Sequence, residues 1–273
     1  MRQRWLASLV GSGAIARAAL ALTGCVLTIL SMGNAAQAQA TSPLGAAASQ
    51  QLITRDATKL IFPREYWDPE HRAYLPIIEL LQGDWDKRLK LDAPPSGQAQ
   101  ILEEIRYLHS LIGQREQRRE EIVAQHTSPI LPYFFPILLM NQTSHRRTFE
   151  LMSFTNSMGM IVNVYKHRFN RARPAQLSPS LMPMITTPGH PAYPSGHGFQ
   201  SWLGAIALAE VRPDARAALI AMAQRIGHNR EIAGVHYPSD TKAGQSLADQ
   251  VLAIAKEGKL FQELLAEAKA EWR

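Results

Sequence analysis

Three clusters of this sequence hold residues that could do chemistry together. KHRFNRARP supplies Lys166 and, with six residues between them, Arg173 followed by Pro174. HPAYPSGHG supplies Pro194, Ser195, Gly196 and His197. NREIAGVHYPSD supplies Arg230, five residues, His236, three residues and Asp240. Taken singly, each is ordinary. Basic residues at a helix end complement its carbonyl dipole, and an acid suits a helix start. Serine is a good helix cap. Together they offer three cations, a run of backbone N–H groups, two imidazoles and a carboxylate, which is the set a phosphate-sized oxyanion needs.

The residue types fit phosphoryl transfer. Its transition state spreads negative charge over three oxygens, and catalysis is mostly positioning and charge stabilisation. Arg173 and Arg230 present forks that match pairs of oxygens, and Lys166 adds a point charge. Ser195 and the N–H groups around Gly196 can donate to a third oxygen at the positive end of the following helix. Gly196 lets the backbone approach closely. One histidine can attack phosphorus and carry it covalently, which splits a hard hydrolysis into two easier steps. The other can protonate the leaving oxygen and then activate water. His236 has Asp240 four residues on to hold its tautomer, so His236 is the expected nucleophile and His197 the acid and base.

These motifs, in this order over residues 166–240, resemble the signature of the PAP2 superfamily. That family includes bacterial class A acid phosphatases, lipid phosphate phosphatases and vanadium-dependent haloperoxidases. The resemblance implies a helical-bundle fold and metal-independent phosphomonoester hydrolysis through a phosphohistidine. It places Lys166, Arg173, Ser195, Gly196 and Arg230 on phosphate, and His197, His236 and Asp240 in catalysis. One departure is Asn229, where the family usually has serine; asparagine still offers an N–H donor. The alternative is a haloperoxidase that holds vanadate, a phosphate-like oxyanion, on the same residues, with His236 as the vanadium ligand. A zinc site from His190, His197, His228 and His236 fits less well, because zinc sites favour tighter spacings and a thiolate or carboxylate.

The elements that must position these groups read as helices. Ile101, Ile105, Leu108 and Ile112 recur at helical spacing. So do Leu151, Phe154, Met158, Ile161, Val162 and Tyr165, a stripe that ends beside Lys166. Phe199, Trp202, Leu203 and Ile206 follow the second cluster, and Leu219, Met222, Ala223 and Ile226 precede the third. Leu247, Val251 and Ile254, then Leu260, Leu264 and Leu265, close the chain. Clean period-two strands are absent, so the sequence predicts a single all-α helical-bundle domain over 41–273. Arg230 and His236 would be about 600° apart on one regular helix, so a break must lie between them. Gly234 and Pro238 allow it, and the spacing predicts a short helix around 229–234, a turn carrying His236, and a new helix from Pro238.

Residues 1–40 read as a secretory signal. Arg2, Arg4 and Arg17 precede an apolar stretch over Ala18–Met32, and NAAQAQA offers small residues for cleavage. LTGC at Leu22–Cys25 is a second-ranked lipoprotein box. Cys25 is the only cysteine, so a cleaved chain could hold neither a disulfide nor a thiolate site. A periplasmic or secreted protein is expected. The formal charge of +6 is modest for 273 residues and argues against a nucleic-acid partner. The longest later apolar run, PILPYFFPILLM at 129–140, is short and broken by prolines, so no stable membrane span is expected. The expected partner is a small phosphate ester.

Overall fold

A computed structural model describes Asp56, residues 58–63, Tyr66 and residues 87–272, without the side chains of 154–156, 259 and 260. The signal expected at 1–40 lies outside the described residues, as do the side chains of Phe154 and Leu260.

The described residues form ten α-helices. They are α1 (Gln98–Ser110), α2 (Arg115–Thr127), α3 (Phe135–Leu138), α4 (Arg146–Ser157) and α5 (Met160–Phe169). Then come α6 (Pro174–Leu177), α7 (Gly196–Val211), α8 (Arg216–Ile232), α9 (Pro238–Ala255) and α10 (Lys259–Ala270). Among the described residues there is one isolated β-bridge, Ile61 with Arg171, and no strand. The fold is all-α.

Helix α7 is the axis of the bundle. Its sequence, GHGFQSWLGAIALAEV, is apolar or small on nearly every face, and most of its residues are buried. Such a helix has no solvent side to present and must be surrounded. It lies against α4, α8 and α9. Leu203, Val251 and Phe261 are buried in one core cluster, and Phe134, Leu208 and Ile226 in another. The third cluster joins α1, α2 and the loops around the site through Ile105, Leu108, Ile122 and Tyr237.

Two glycines set how closely α7 and α9 cross. A Cβ on Gly244 would stand 2.5 Å from the carbonyl oxygen of Ser195 and 2.8 Å from the backbone nitrogen of Phe199. One on Gly198 would stand 3.1 Å from the carbonyl oxygen of Thr241. The backbones touch where the second and third clusters meet, and Ser195 N donates to Asp240 O at 2.9 Å.

The structure departs from the sequence reading at several helix ends. The stripe from Leu151 to Tyr165 spans two helices, because the chain breaks at Met158–Gly159. Ile112 lies beyond α1 in a 3₁₀ turn and is 37% exposed. No separate helix begins at 229. Helix α8 runs unbroken to Ile232 because its interior holds no proline, and its Gly227 is packed against Thr241. The break comes after it, at Gly234, whose φ of +78° favours glycine. The turn carrying His236 and the new helix at Pro238 are both present. The run at 129–140 breaks into a 3₁₀ turn and α3, which bury Phe134 and Leu138 and leave Leu139 86% exposed.

Gly244→Ala should cost about 1–3 kcal/mol, since the added methyl meets backbone rather than a movable side chain. Denaturant unfolding measures this. Unchanged stability would mean that α7 and α9 can slide apart freely, against the close crossing described.

Candidate active site

The three clusters are hydrogen-bonded to one another. Lys166 sits in the last turn of α5, buried, and its Nζ donates to the carbonyls of Pro191 (2.7 Å) and Ala192 (3.2 Å). That uses two of three N–H donors and ties the first cluster to the second. Arg173 is the N-cap residue of α6 and is fully buried. Its Nε donates to His190 O, and its Nη1 to Val235 O and to Nε2 of His236 at 3.0 Å. That ties the first cluster to the third.

The Arg173 contact identifies the tautomer of His236. An arginine N–H can only donate, so His236 Nε2 carries the lone pair. His236 Nδ1 then carries the proton and donates to Asp240 Oδ2 at 3.0 Å. Asp240 Oδ2 also accepts from Tyr237 N, and Oδ1 accepts from Arg171 Nη1 at 2.6 Å. Both residues are buried. Gly234 and Pro238 flank the turn that swings His236 off the axis of α8, while Asp240 is held in the first turn of α9.

Ser195 is the N-cap of α7, its Oγ accepting from Gly198 N at 3.1 Å. A hydroxyl that accepts keeps its own proton to donate. Gly196 and His197 hold the first two helical positions, where N–H groups have no carbonyl within the helix. A Cβ on Gly196 would meet nothing within 4 Å, so its backbone borders open space. His197 Nε2 donates to Gln125 O at 3.0 Å, which leaves Nδ1 as the titrating atom.

Arg230 closes the site from α8. Its Nη2 donates to Ile122 O at 2.9 Å and reaches Gln125 Oε1 at 3.5 Å. Its Nε and Nη1 are buried with no hydrogen-bond partner. Buried donors of this kind are rare in folded proteins and costly when unmatched. Asn229 Nδ2 donates to Gln125 Oε1 at 2.9 Å, which ties α8 to α2, while its Oδ1 is buried with no hydrogen-bond partner.

Burial and crowded positive charge govern the protonation of the site. Burial, then Arg230, lower His197 to about 3. His236 is held well below the usual histidine range by burial, then by Arg173, Lys166, His197 and Arg230. Lys166 is likewise pushed far down by burial and then by Arg173. Burial lowers Arg230 to about 10. Each shift has burial as its largest cause, and for the two imidazoles and Lys166 neighbouring cations add to it.

Some residues here were passed over in the sequence. Arg171, two residues before Arg173, bridges Asp240 to Glu104 on α1. Gln125 on α2 contacts His197, Asn229 and Arg230. Arg171 stands within the first cluster, where its neighbours gave a cue; no local pattern marks Glu104 or Gln125. Among the described residues no three His, Cys, Asp or Glu side chains gather as metal ligands, and His228 pairs instead with Glu231.

Residues 147–255 match the model of the PAP2 superfamily. Over 80 residues the chain is 34% identical to a non-specific acid phosphatase of Salmonella typhi, covering 29% of this chain and 32% of that protein. It is 34% identical over 80 residues to an acid phosphatase of Zymomonas mobilis, covering 29% of this chain and 30% of that one. It is 38% identical over 90 residues to a lipid A 1-phosphatase of Rhizobium etli, covering 32% of this chain and 39% of that one. The chain thus spans about a third of the length of the curated relatives it matches. Among the described residues no helix is long and apolar enough to cross a membrane.

The depressed imidazoles predict a pH dependence of stability. Histidine titrates near 6.5 in an unfolded chain, whereas His197 stays neutral in the fold down to about 3 and His236 to well below 6.5. Below about 6.5 the unfolded state therefore binds more protons, and stability is lost as pH falls toward about 3. Tm of the ligand-free protein should fall across that window. The His197→Ala, His236→Ala double variant should show a shallower slope; an identical slope would contradict neutral, buried imidazoles.

Proposed function

We propose, from the match of residues 147–255 to the PAP2 superfamily, that the chain is a phosphatase that hydrolyses phosphomonoesters through a phosphohistidine on His236. The observation that carries this reading is the buried pair of unpartnered donors on Arg230, in the same site as an imidazole whose Nδ1–H tautomer pairs with Asp240. A tetrahedral oxyanion would satisfy those donors. Phosphatases among the relatives lend the same support.

The phosphoryl oxygens would be held by Arg230 Nε and Nη1, by the third donor of Lys166, by the Ser195 hydroxyl and by the N–H groups of Gly196 and His197. Arg173 would turn from His236 Nε2 to the oxygens, which frees the lone pair. Nε2 then attacks phosphorus, the ester P–O bond breaks, and the leaving oxygen takes a proton from His197. In the second step His197 removes a proton from water, whose oxygen attacks phosphorus as the P–N bond breaks and its electrons return to Nε2. Guanidinium and ammonium groups supply the charge stabilisation, so the proposed reaction needs no metal ion.

His197 is the pH-sensitive member. In the free protein its Nδ1 takes up a proton only below about pH 3. A bound phosphate dianion offsets Arg230 and Arg173 and raises its proton affinity. The general-acid step is thus favoured by acid, as in an acid phosphatase. The leader-like residues 1–40 support action in the periplasm or outside the cell.

The test is an assay on a phosphomonoester with a rapid acid or alkali quench. An alkali-stable, acid-labile phosphoenzyme should accumulate, a chelator should leave the rate unchanged, and vanadate should inhibit. His236→Ala should abolish both the label and turnover. His197→Ala should cost about 10²–10⁴-fold on an alkyl phosphate and much less on an aryl phosphate, whose leaving group needs no proton. Hydrolysis that survives His236→Ala would overturn the proposal, as would halide oxidation with vanadate and peroxide in place of ester hydrolysis.

A further inference from the structure

The His236–Asp240 pair does not end at Asp240. Arg171 Nη1 donates to Asp240 Oδ1 at 2.6 Å and to Ser239 Oγ at 2.7 Å, and its Nη2 donates to Glu104 Oε2 at 2.8 Å. Glu104 Oε1 accepts from Ser239 N at 2.8 Å. These contacts close a ring of Glu104, Arg171, Ser239 and Asp240. The guanidinium lies over the ring of Tyr237, 3.8 Å from its centre, so its plane cannot rotate freely. Arg171 and Glu104 have side chains only 9% and 14% exposed. This is a set of short, charge-assisted bonds screened little by solvent.

The ring divides the two oxygens of Asp240. Oδ1 is taken by Arg171, and Oδ2 is left to Tyr237 N and His236 Nδ1. A carboxylate fixed in this way cannot turn toward another donor. Attack at phosphorus makes the imidazole of His236 more positive, so it needs the carboxylate aligned and charged. One guanidinium shared between two carboxylates leaves the ring net negative, which suits that need. Neither Arg171 nor Glu104 belongs to the set placed around the phosphate. Glu104, on α1, lies outside the residues that match the family.

We propose that Arg171 and Glu104 are positioning residues for the His236–Asp240 pair: they lock Asp240 so that His236 keeps its proton on Nδ1 and its lone pair on Nε2. The inference rests on the phosphatase reading for its kinetic part, and on the ligand-free geometry alone for its tautomer part.

The experiment pairs both parts on Glu104→Gln, Glu104→Asp and Arg171→Lys in the full chain. Nitrogen NMR of the ligand-free protein reads the tautomer of His236, whether or not the chain turns over any ester. The parent should show the Nδ1–H form, Glu104→Gln and Arg171→Lys should show a mixture, and Glu104→Asp should restore the parent state in large part. In kinetics on a phosphomonoester, Glu104→Gln and Arg171→Lys should lower kcat by about 10–100-fold, as the loss of an orienting partner does elsewhere. KM and inhibition by inorganic phosphate should stay within about two-fold, because neither residue is placed on phosphate. Unchanged kcat and tautomer in both variants, with only Tm lowered, would overturn the proposal. A parent chain inactive on every ester would instead sink the phosphatase reading and leave the tautomer measurement to decide this one. If Arg171→Lys fails to fold, the milder change at Glu104 still gives the answer.

Discussion

Lys166, Arg173 and Arg230 are each at most 1% exposed, and they surround a neutral imidazole. Taking an ion out of water costs several kcal/mol even after relaxation. The rest of the structure is arranged around this cost. The carbonyls of Pro191 and Ala192 solvate Lys166, those of His190 and Val235 solvate Arg173, and that of Ile122 solvates Arg230. None of these carbonyls belongs to a long regular helix stretch that could have spent it on its own ladder, except Ile122 in α2. The stiff proline-bearing segment at 190–194 and the turn at 233–237 leave their oxygens free for this duty. Irregular backbone at these two places is thus the means by which positive charge is kept inside.

The same charge acts on the two imidazoles in a useful way. Burial, and then a field that disfavours protons, keep His236 neutral, and a neutral imidazole has the lone pair that the proposed attack requires. They also keep His197 from taking a second proton until about pH 3. In the proposed reaction the bound anion offsets the field of Arg230 and Arg173, so binding and readiness to donate a proton arrive together.

Much of this arrangement was legible in the sequence. The three clusters announce themselves because each chemistry-bearing residue lies within seven positions of the next in its cluster, and because proline and glycine mark the turns between helices. Helical periodicity gave the all-α architecture. Helix ends were less legible: Met158–Gly159 breaks a run without any proline, and α8 continues three residues past Asn229 because nothing in it opposes the helix. Partners far away in sequence were not legible at all. Glu104 meets Arg171 from 67 residues away and Ser239 from 135, and Gln125 meets Asn229 from 104. A glutamate or glutamine on a polar helix carries no local mark of such a contact. Gly244 was equally silent, since only a neighbour's backbone explains it.

These distant contacts divide the site between two parts of the chain. The region that matches the family, 147–255, holds every residue placed on phosphate or in proton transfer. Its geometry is nevertheless set from outside. Helix α2 offers Ile122 O and Gln125 Oε1 to Arg230, Gln125 O to His197, and Gln125 Oε1 to Asn229. Helix α1 offers Glu104 to Arg171 and Ser239. One helix therefore holds Arg230 together with His197, and the other braces the carboxylate of Asp240 behind His236. A change in the seating of α2 would move Arg230 and His197 in concert, whereas a change in α1 would act on His236 alone. In the proposed reaction the segment 147–255 supplies the chemistry, and the helices before it supply the alignment that the chemistry depends on.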